Sequence, residues 1–325
     1  MSADGSRVLV TGGGGFIGGH LTERLVALGH RVRVLDNFAT GQRSNLERVA
    51  GEIELVEGDI QSYERVHNAV RGCELVFHQA ALPSVPRSIQ DPLTSTSVNV
   101  TGTLNVLLAS RDEGVRRVVY ASSSSVYGAN PELPKRESMA ALPMAPYAVS
   151  KLAAEGFCRS FNRVYGLDTV ALRYFNVFGP RQDPASQYAA VIPNFINALL
   201  AGEPPTGPGD GIQSRAFTSI DNVVAANVAA AAAAGPEAAG ETVNIACGER
   251  ISLNQVLEHL RASIGSDVEA VHTEPRVGDV PHSQADISRA RELLGYEPAV
   301  SIGDGLDLTI AHYREQLTER ALSPG

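Results

Sequence analysis

"VLVTGGGGFIGGHL", residues Val8 to Leu21, joins two kinds of apolar pattern through a run of glycines. Val8, Leu9 and Val10 form a short continuous apolar run, as a strand buried on both faces does. From Phe16 the apolar positions Ile17, Leu21 and Leu25 fall at helical spacing. Gly12, Gly15 and Gly18 stand between and within them as G-x-x-G-x-x-G. Without side chains such a turn closes tightly, and an anion can approach the N–H groups at the positive end of the helix. Strand, glycine turn and helix in that order make a phosphate-binding unit. A glycine turn alone would be weak support, since glycine also serves ordinary turns.

The second strand pattern, "RVRVLD", closes on Asp36. A carboxylate there can accept from the adenosine ribose 2′-hydroxyl and repel a 2′-phosphate, so the expected dinucleotide is NAD. Arg33 and Arg43 are the nearby cations that would otherwise admit NADP. Further apolar runs begin at Ile53, Leu75, Arg117 and Asp168, with helix-length segments between them. This alternation predicts an α/β fold, a Rossmann-type doubly wound parallel sheet, with a smaller C-terminal substrate-binding lobe. Residues 1–175 are expected to form the NAD-binding domain, part of 215–250 returning to it, and 176–325 mainly the second lobe. Helices are expected there at about Ala189 to Ala201 and at Leu253 to Ile264. Ligands of such sheets sit beyond the carboxyl ends of the strands.

Composition removes other classes. With 27 basic and 36 acidic residues the net charge is −9, and no basic run offers nucleic acid a footing. The longest apolar run, Val223 to Ala234, is interrupted by Asn227 and stopped by Gly235-Pro236, too short to span a bilayer. No signal-peptide pattern opens the sequence, so the expected location is cytoplasmic, with no membrane partner. Cys73, Cys158 and Cys247 stand far apart, against a disulfide framework or a metal site, and read as core thiols.

"PYAVSK" starts another helix at Pro146, with Tyr147 and Lys151 on one face. Together with the glycine spacing, this Tyr-x-x-x-Lys resembles the extended short-chain dehydrogenase/reductase family, and within it the NAD-dependent nucleotide-sugar epimerases. The resemblance covers nearly the whole chain. It implies cofactor contacts from Gly12, Gly15, Phe16, Ile17 and Gly18, and an adenosine-ribose loop with Asp36, Asn37, Phe38, Thr40 and Gly41. It also implies an adenine contact at Asp59 and Ile60, a stretch beneath the cofactor at Gln79, Ala80 and Ala81, and a helix-bending, site-supporting Asn99. Lys151 would bind the nicotinamide ribose beside Tyr147. An unaided phenol ionises near a pKa of about 10, so Lys151, with the positive nicotinamide ring of NAD nearby, is expected to lower that of Tyr147 and make it a base. The register of "ASSSSVYG" implies Ser123 as the catalytic hydroxyl, Ser125 as a second group facing the sugar, and Ser124 as a neighbour with a smaller role.

No carboxylate stands in that strip, where related dehydratases and decarboxylases carry one, so the implied reaction is C4 epimerisation. Hydride leaves C4 for NAD, the 4-keto sugar turns over, and hydride returns to its other face. The substrate expected is a UDP-sugar, held by Asn176, by Ala190 and Val191 on the uracil side, and by a diphosphate clamp of Arg215 and Arg276. Two departures weaken the match at Arg215: Ala216 replaces the usual Asp, and Ser219 the usual aromatic. Small Ser283 is expected beside the sugar's C2 substituent, leaving room for an acetamido group; the alternative is that it caps a turn after Pro281. His282 is undecided, and His67 and His272 have no ligand-like spacing. The rival readings are a uronate 4-epimerase, with Arg181 or the serines receiving the carboxylate, and a silent NAD-binding redox sensor. A homodimer through the "VNVTGTLNVLLAS" and "YAVSKLAAEGFCRSFNRVY" helices is also implied.

Overall fold

The computed structural model describes residues 5–183, 191–274 and 282–322. In chain order it places β1 (Arg7–Thr11), α1 (Phe16–Ala27), β2 (Arg31–Asp36), β3 (Ile53–Glu57), α2 (Tyr63–Val70), β4 (Leu75–His78), α3 (Val85–Gln90) and α4 (Pro92–Thr96). A π-turn, Ser97–Gly102, leads into α5 (Thr103–Asp112), followed by β5 (Arg117–Ser123), α6 (Pro146–Tyr165), β6 (Asp168–Tyr174) and the two-residue strand β7 (Val177–Phe178). Beyond lie α7 (Val191–Leu200), β8 (Thr206–Pro208), β9 (Ser214–Arg215), β10 (Thr218–Ser219), α8 (Ile220–Ala232), β11 (Glu241–Ile245), β12 (Ile251–Ser252) and α9 (Leu253–Ile264). The chain continues through β13 (Val271–Thr273), α10 (Ser288–Leu294) and α11 (Ile302–Leu322).

Seven strands form one parallel sheet in the order β11-β6-β5-β4-β1-β2-β3. Because successive strand side chains point to opposite faces, each apolar run feeds two cores. Val8 and Val10 enter one cluster with Leu21, Leu25 and the Ala-rich face of α8, whereas Leu9 enters the other. That second cluster packs Val118 and Tyr120 against Val66 of α2, Leu107 of α5 and Phe161 of α6. This double burial explains why the strands read as continuous apolar runs. A third cluster, Phe195, Val256, Leu260, Leu306 and Tyr313 among others, joins α7, α9 and α11.

Strand order reverses between β1 and β4, opening a crevice at their carboxyl ends. The turn after β1 and the loop after β4 are pressed together there: a Cβ on Gly12, whose φ is +72°, would lie 2.6 Å from Ala80 N. Among the described residues, no helix is long and apolar enough to cross a membrane, and no group of three His, Cys, Asp or Glu could hold a metal. Cys73 and Cys158 are buried, but Cys247 is only partly so, its sulfur 3.3 Å from Asn222 Nδ2.

Candidate active site

The glycine turn starts α1 with Gly15 as an N-cap that has no side-chain hydrogen bond, and the first turn contains no acidic residue. Its positive end is left for an anion. A Cβ on Gly15 would meet only Gly12 O, at 3.2 Å, so this flank is open. Asp36 is buried and does more than sequence suggested: Oδ2 accepts from Gly14 N at 2.8 Å and Oδ1 from Phe38 N at 2.7 Å. Each oxygen keeps a second acceptor site for a ribose hydroxyl. Phe38, at φ 55°, lies under the Arg43 guanidinium at 4.3 Å, and Asp59 accepts from Asn37 Nδ2 at 2.9 Å. Arg33 points away, donating to the carbonyls of Ala69 and Arg71 and pairing with Glu54. The open turn, uncapped helix end and anchored carboxylate fit NAD.

Beneath this turn a polar relay has its donors fixed by elimination. Ala80 N donates to Thr11 Oγ1, and Thr103 donates to Asn99 O at 2.7 Å. Thr103 Oγ1 must therefore accept from His78 Nε2, leaving Nδ1 to accept from Thr11 at 2.7 Å. Burial pushes His78 down to about 3, so the imidazole stays neutral in that tautomer. Gln79 instead turns its side chain to Tyr174 and Asn227.

Asn99 lies in the π-turn, a distortion that often accompanies functional sites. Its Oδ1 accepts from Leu82 N, and its Nδ2 donates to Leu82 O and to Ser150 Oγ, both at 3.1 Å. Ser150 donates in turn to Tyr147 O, while Tyr147 N donates to Ser88 Oγ. The first turn of α6 is thus tied to the loop after β4. Lys151 Nζ, deep in the site, donates to Ala121 O at 2.8 Å and lies 5.9 Å from the centre of the Tyr147 ring. Ser123 ends β5 and accepts from Ser125 N at 3.2 Å, which leaves its own O–H to donate. Ser125 Oγ is shielded from solvent and has no protein partner.

The protein groups alone do not lower the Tyr147 pKa. Burial raises the Tyr147 phenol above its ordinary range, and among the described residues it is the Ser123 hydroxyl that draws it down. Lys151, which was expected to do so, is itself pulled down to about 8 by burial. The two groups compete for the same dry environment.

At the sugar side, Asn176 takes an unusual φ of 33°, with Nδ2 3.4 Å from both Ala216 O and Ser283 Oγ. Ser283 Oγ also accepts from Ala216 N at 3.2 Å, and Ser283 N donates to Ser214 O at 2.9 Å. Ser283 thereby supplies the support at Ala216 that the sequence appeared to lack, and Ser219 caps α8 through Asp221 N. The Ser283 hydroxyl is thus a long-range brace to Ala216 and Asn176, a role that neither sequence reading of it described. His282 Nδ1 lies 2.9 Å from Ser214 Oγ, so this histidine braces β9. Arg215, on β9, pairs with Ile251 of β12. Arg181 grips Glu23 through both terminal nitrogens, at 2.6 and 3.0 Å, so the carboxylate it receives comes from α1. Val191 begins α7; Ala190 and Arg276 lie outside the described residues.

Sheet order, glycine turn and the Ser-Tyr-Lys cluster define a protein of the short-chain dehydrogenase/reductase class. More narrowly, the chain belongs to the NAD dependent epimerase/dehydratase family, which it matches over residues 8–246. It is 38% identical over 314 residues to a UDP-glucose 4-epimerase of Mycolicibacterium smegmatis, covering 95% of this chain and 99% of that one. Among solved structures it resembles a Thermotoga maritima UDP-glucose 4-epimerase with UDP-glucose, at TM-score 0.91 and 36% identity, covering 96% and 99% of the two chains. A Methanobrevibacter ruminantium UDP-N-acetylglucosamine 4-epimerase in complex with UDP-N-acetylmuramic acid gives TM-score 0.92 at 37% identity, again covering 96% and 99%.

Proposed function

We propose that the protein is an NAD-dependent UDP-sugar 4-epimerase that accepts UDP-N-acetylglucosamine and UDP-N-acetylgalactosamine as well as, or instead of, UDP-glucose and UDP-galactose. The observation that carries the reaction is the meeting of Ser123, Tyr147 and Lys151 at the end of β5, with no Asp or Glu from Ala121 to Asn130. Bound NAD supplies reversible oxidation at C4. Tyr147 takes the proton of the 4-hydroxyl and later returns it, acting as base and then acid. Ser123, which accepts from Ser125 N and keeps its O–H free, donates to the developing 4-carbonyl oxygen. Lys151 holds positive charge near the Tyr147 ring, and the unpartnered Ser125 Oγ supports a contact with a sugar hydroxyl. The strip offers no carboxylate to act as acid or base in expelling water from the keto sugar.

Similarity to both glucose and N-acetylglucosamine epimerases, with a small side chain at Ser283, supports the broad sugar range. A panel of UDP-glucose, UDP-N-acetylglucosamine and their uronates, scored for C4 inversion, tests it. Ser283→Tyr should cost the acetamido sugar about 10- to 100-fold while largely sparing UDP-glucose, since overpacking of this kind costs about 1–3 kcal/mol. Ser283→Ala, which removes the brace but not the space, should affect both sugars alike. Equal losses with Tyr would remove Ser283 as the gate. NAD binding without inversion of any sugar would favour the silent sensor.

We further infer a homodimer through α5 and α6. Val149, Val164 and Tyr165 of α6 are 51%, 67% and 51% exposed, and Leu93 of α4 is 83% exposed. Light scattering should return twice the chain mass; a monomer at micromolar concentration removes the interface.

A further inference from the structure

Glu155 follows Lys151 by four residues and Tyr147 by eight, on the same face of α6. It is 3% exposed, an expensive place for a carboxylate unless its acceptors are filled. They are. Oε1 accepts from Ser122 Oγ at 2.5 Å and from Arg173 Nε at 2.9 Å, and Oε2 from Arg173 NH2 at 2.7 Å. Ser122 immediately precedes Ser123 on β5, and Arg173 is its registered neighbour on β6. The Arg173 guanidinium also lies 4.7 Å from the centre of the Tyr127 ring, in the turn that continues the serine strip.

Among the described residues, the other groups around Lys151 supply no negative charge. Tyr120 of β5, its ring centre 5.1 Å from Nζ, and Cys158 of α6 are both pushed well up by burial and remain neutral. Tyr147 is raised as well, and His78 is neutral. Burial pulls Lys151 down while the charge of Glu155 is the largest influence opposing it. Glu137 and Tyr127, near Arg173, act on that guanidinium rather than on Lys151. We propose that Glu155, clamped by Arg173 and Ser122, is a positioning residue that keeps the Lys151 ammonium charged beneath the Ser123–Tyr147 pair. This inference rests on the role given above to Lys151.

The chain has only two lysines, Lys135 and Lys151, so the test is direct. With isotope-labelled lysine in the NAD-bound protein, the side-chain signals of the two can be titrated separately, Lys151→Met assigning them. Removing an anion destabilises a neighbouring ammonium, so Glu155→Gln should move the Lys151 midpoint to lower pH by about one unit, tenfold in the ratio of charged to neutral amine. The pH at which the rising kcat/KM profile levels off should move down with it, while a merely structural loss would lower activity equally at every pH. Because Glu155→Gln leaves Arg173 buried and short of an acceptor, Glu155→Gln/Arg173→Met is the second variant, with a smaller shift of the same sign. An unmoved Lys151 midpoint in whichever variant folds overturns the proposal. If Lys151→Met itself turns over like the parent, the role of Lys151 has failed. An inactive Lys151→Met beside an unmoved midpoint sinks Glu155 alone.

Discussion

Tyr147→Phe is expected to leave NAD bound and to cut turnover by about 10²- to 10⁴-fold, the usual worth of a positioned general acid–base group. The ring would still sit at the start of α6, because its placement depends on backbone bonds: Tyr147 N to Ser88 Oγ, and Tyr147 O from Ser150 Oγ. Only the ionisable oxygen is lost. Since burial holds the phenol protonated above its ordinary range, the parent should gain activity as pH rises until Lys151 begins to discharge. In Tyr147→Phe the acid limb of that profile should vanish with most of the rate. Near-parental turnover would remove Tyr147 as the base, and loss of NAD would show that the phenol has a binding role instead.

Gly18→Ala is expected to weaken NAD binding by roughly 30- to 100-fold, about 2–3 kcal/mol. An added Cβ would lie 2.0 Å from Gly12 O and 2.8 Å from Gly13 Cα. Both are backbone, so no flexible side chain can yield. Gly12 is held in place, donating its N–H to Leu35 O at 2.8 Å and accepting from Gly15 N at 3.1 Å. Relief would therefore open the turn itself. Gly15→Ala, whose Cβ would meet only the Gly12 carbonyl, serves as the milder control. Titration calorimetry with NAD separates them; parental affinity in Gly18→Ala would mean that this turn is not the pyrophosphate cradle.

The features legible in the sequence are those written by local pattern. Doubly buried strands leave apolar runs, a tight phosphate turn leaves glycines, and Tyr147 and Lys151 share a helix, so their pairing is visible in six residues. What escaped is long-range polar pairing. Glu155 and Arg173 are 18 residues apart on a helix and a strand, and nothing in their spacing distinguishes a buried pair from two solvated charges. Arg181 finds Glu23 across 158 positions, so a motif arginine offered to a sugar carboxylate is occupied by one of the protein's own. The departure at Ala216 seemed uncompensated because its brace, Ser283, is 67 residues further on. Asp36 was read as a ligand contact alone, since its bond to Gly14 depends on how closely β2 approaches the glycine turn.

Both lysines are interior, Lys135 at 3% and Lys151 at 4% exposure. Every positively charged side chain at the surface is therefore an arginine or a protonated histidine. Acylating dyes, aldehyde fixatives and amine-coupling resins find no lysine on the outside of the folded chain. Where such a reagent does reach an ε-amine, it must either enter the reaction chamber or wait for the fold to open. Labelling at lysine thus reports access to the catalytic chamber and unfolding, and substrate that shields Lys151 should be visible as protection from modification.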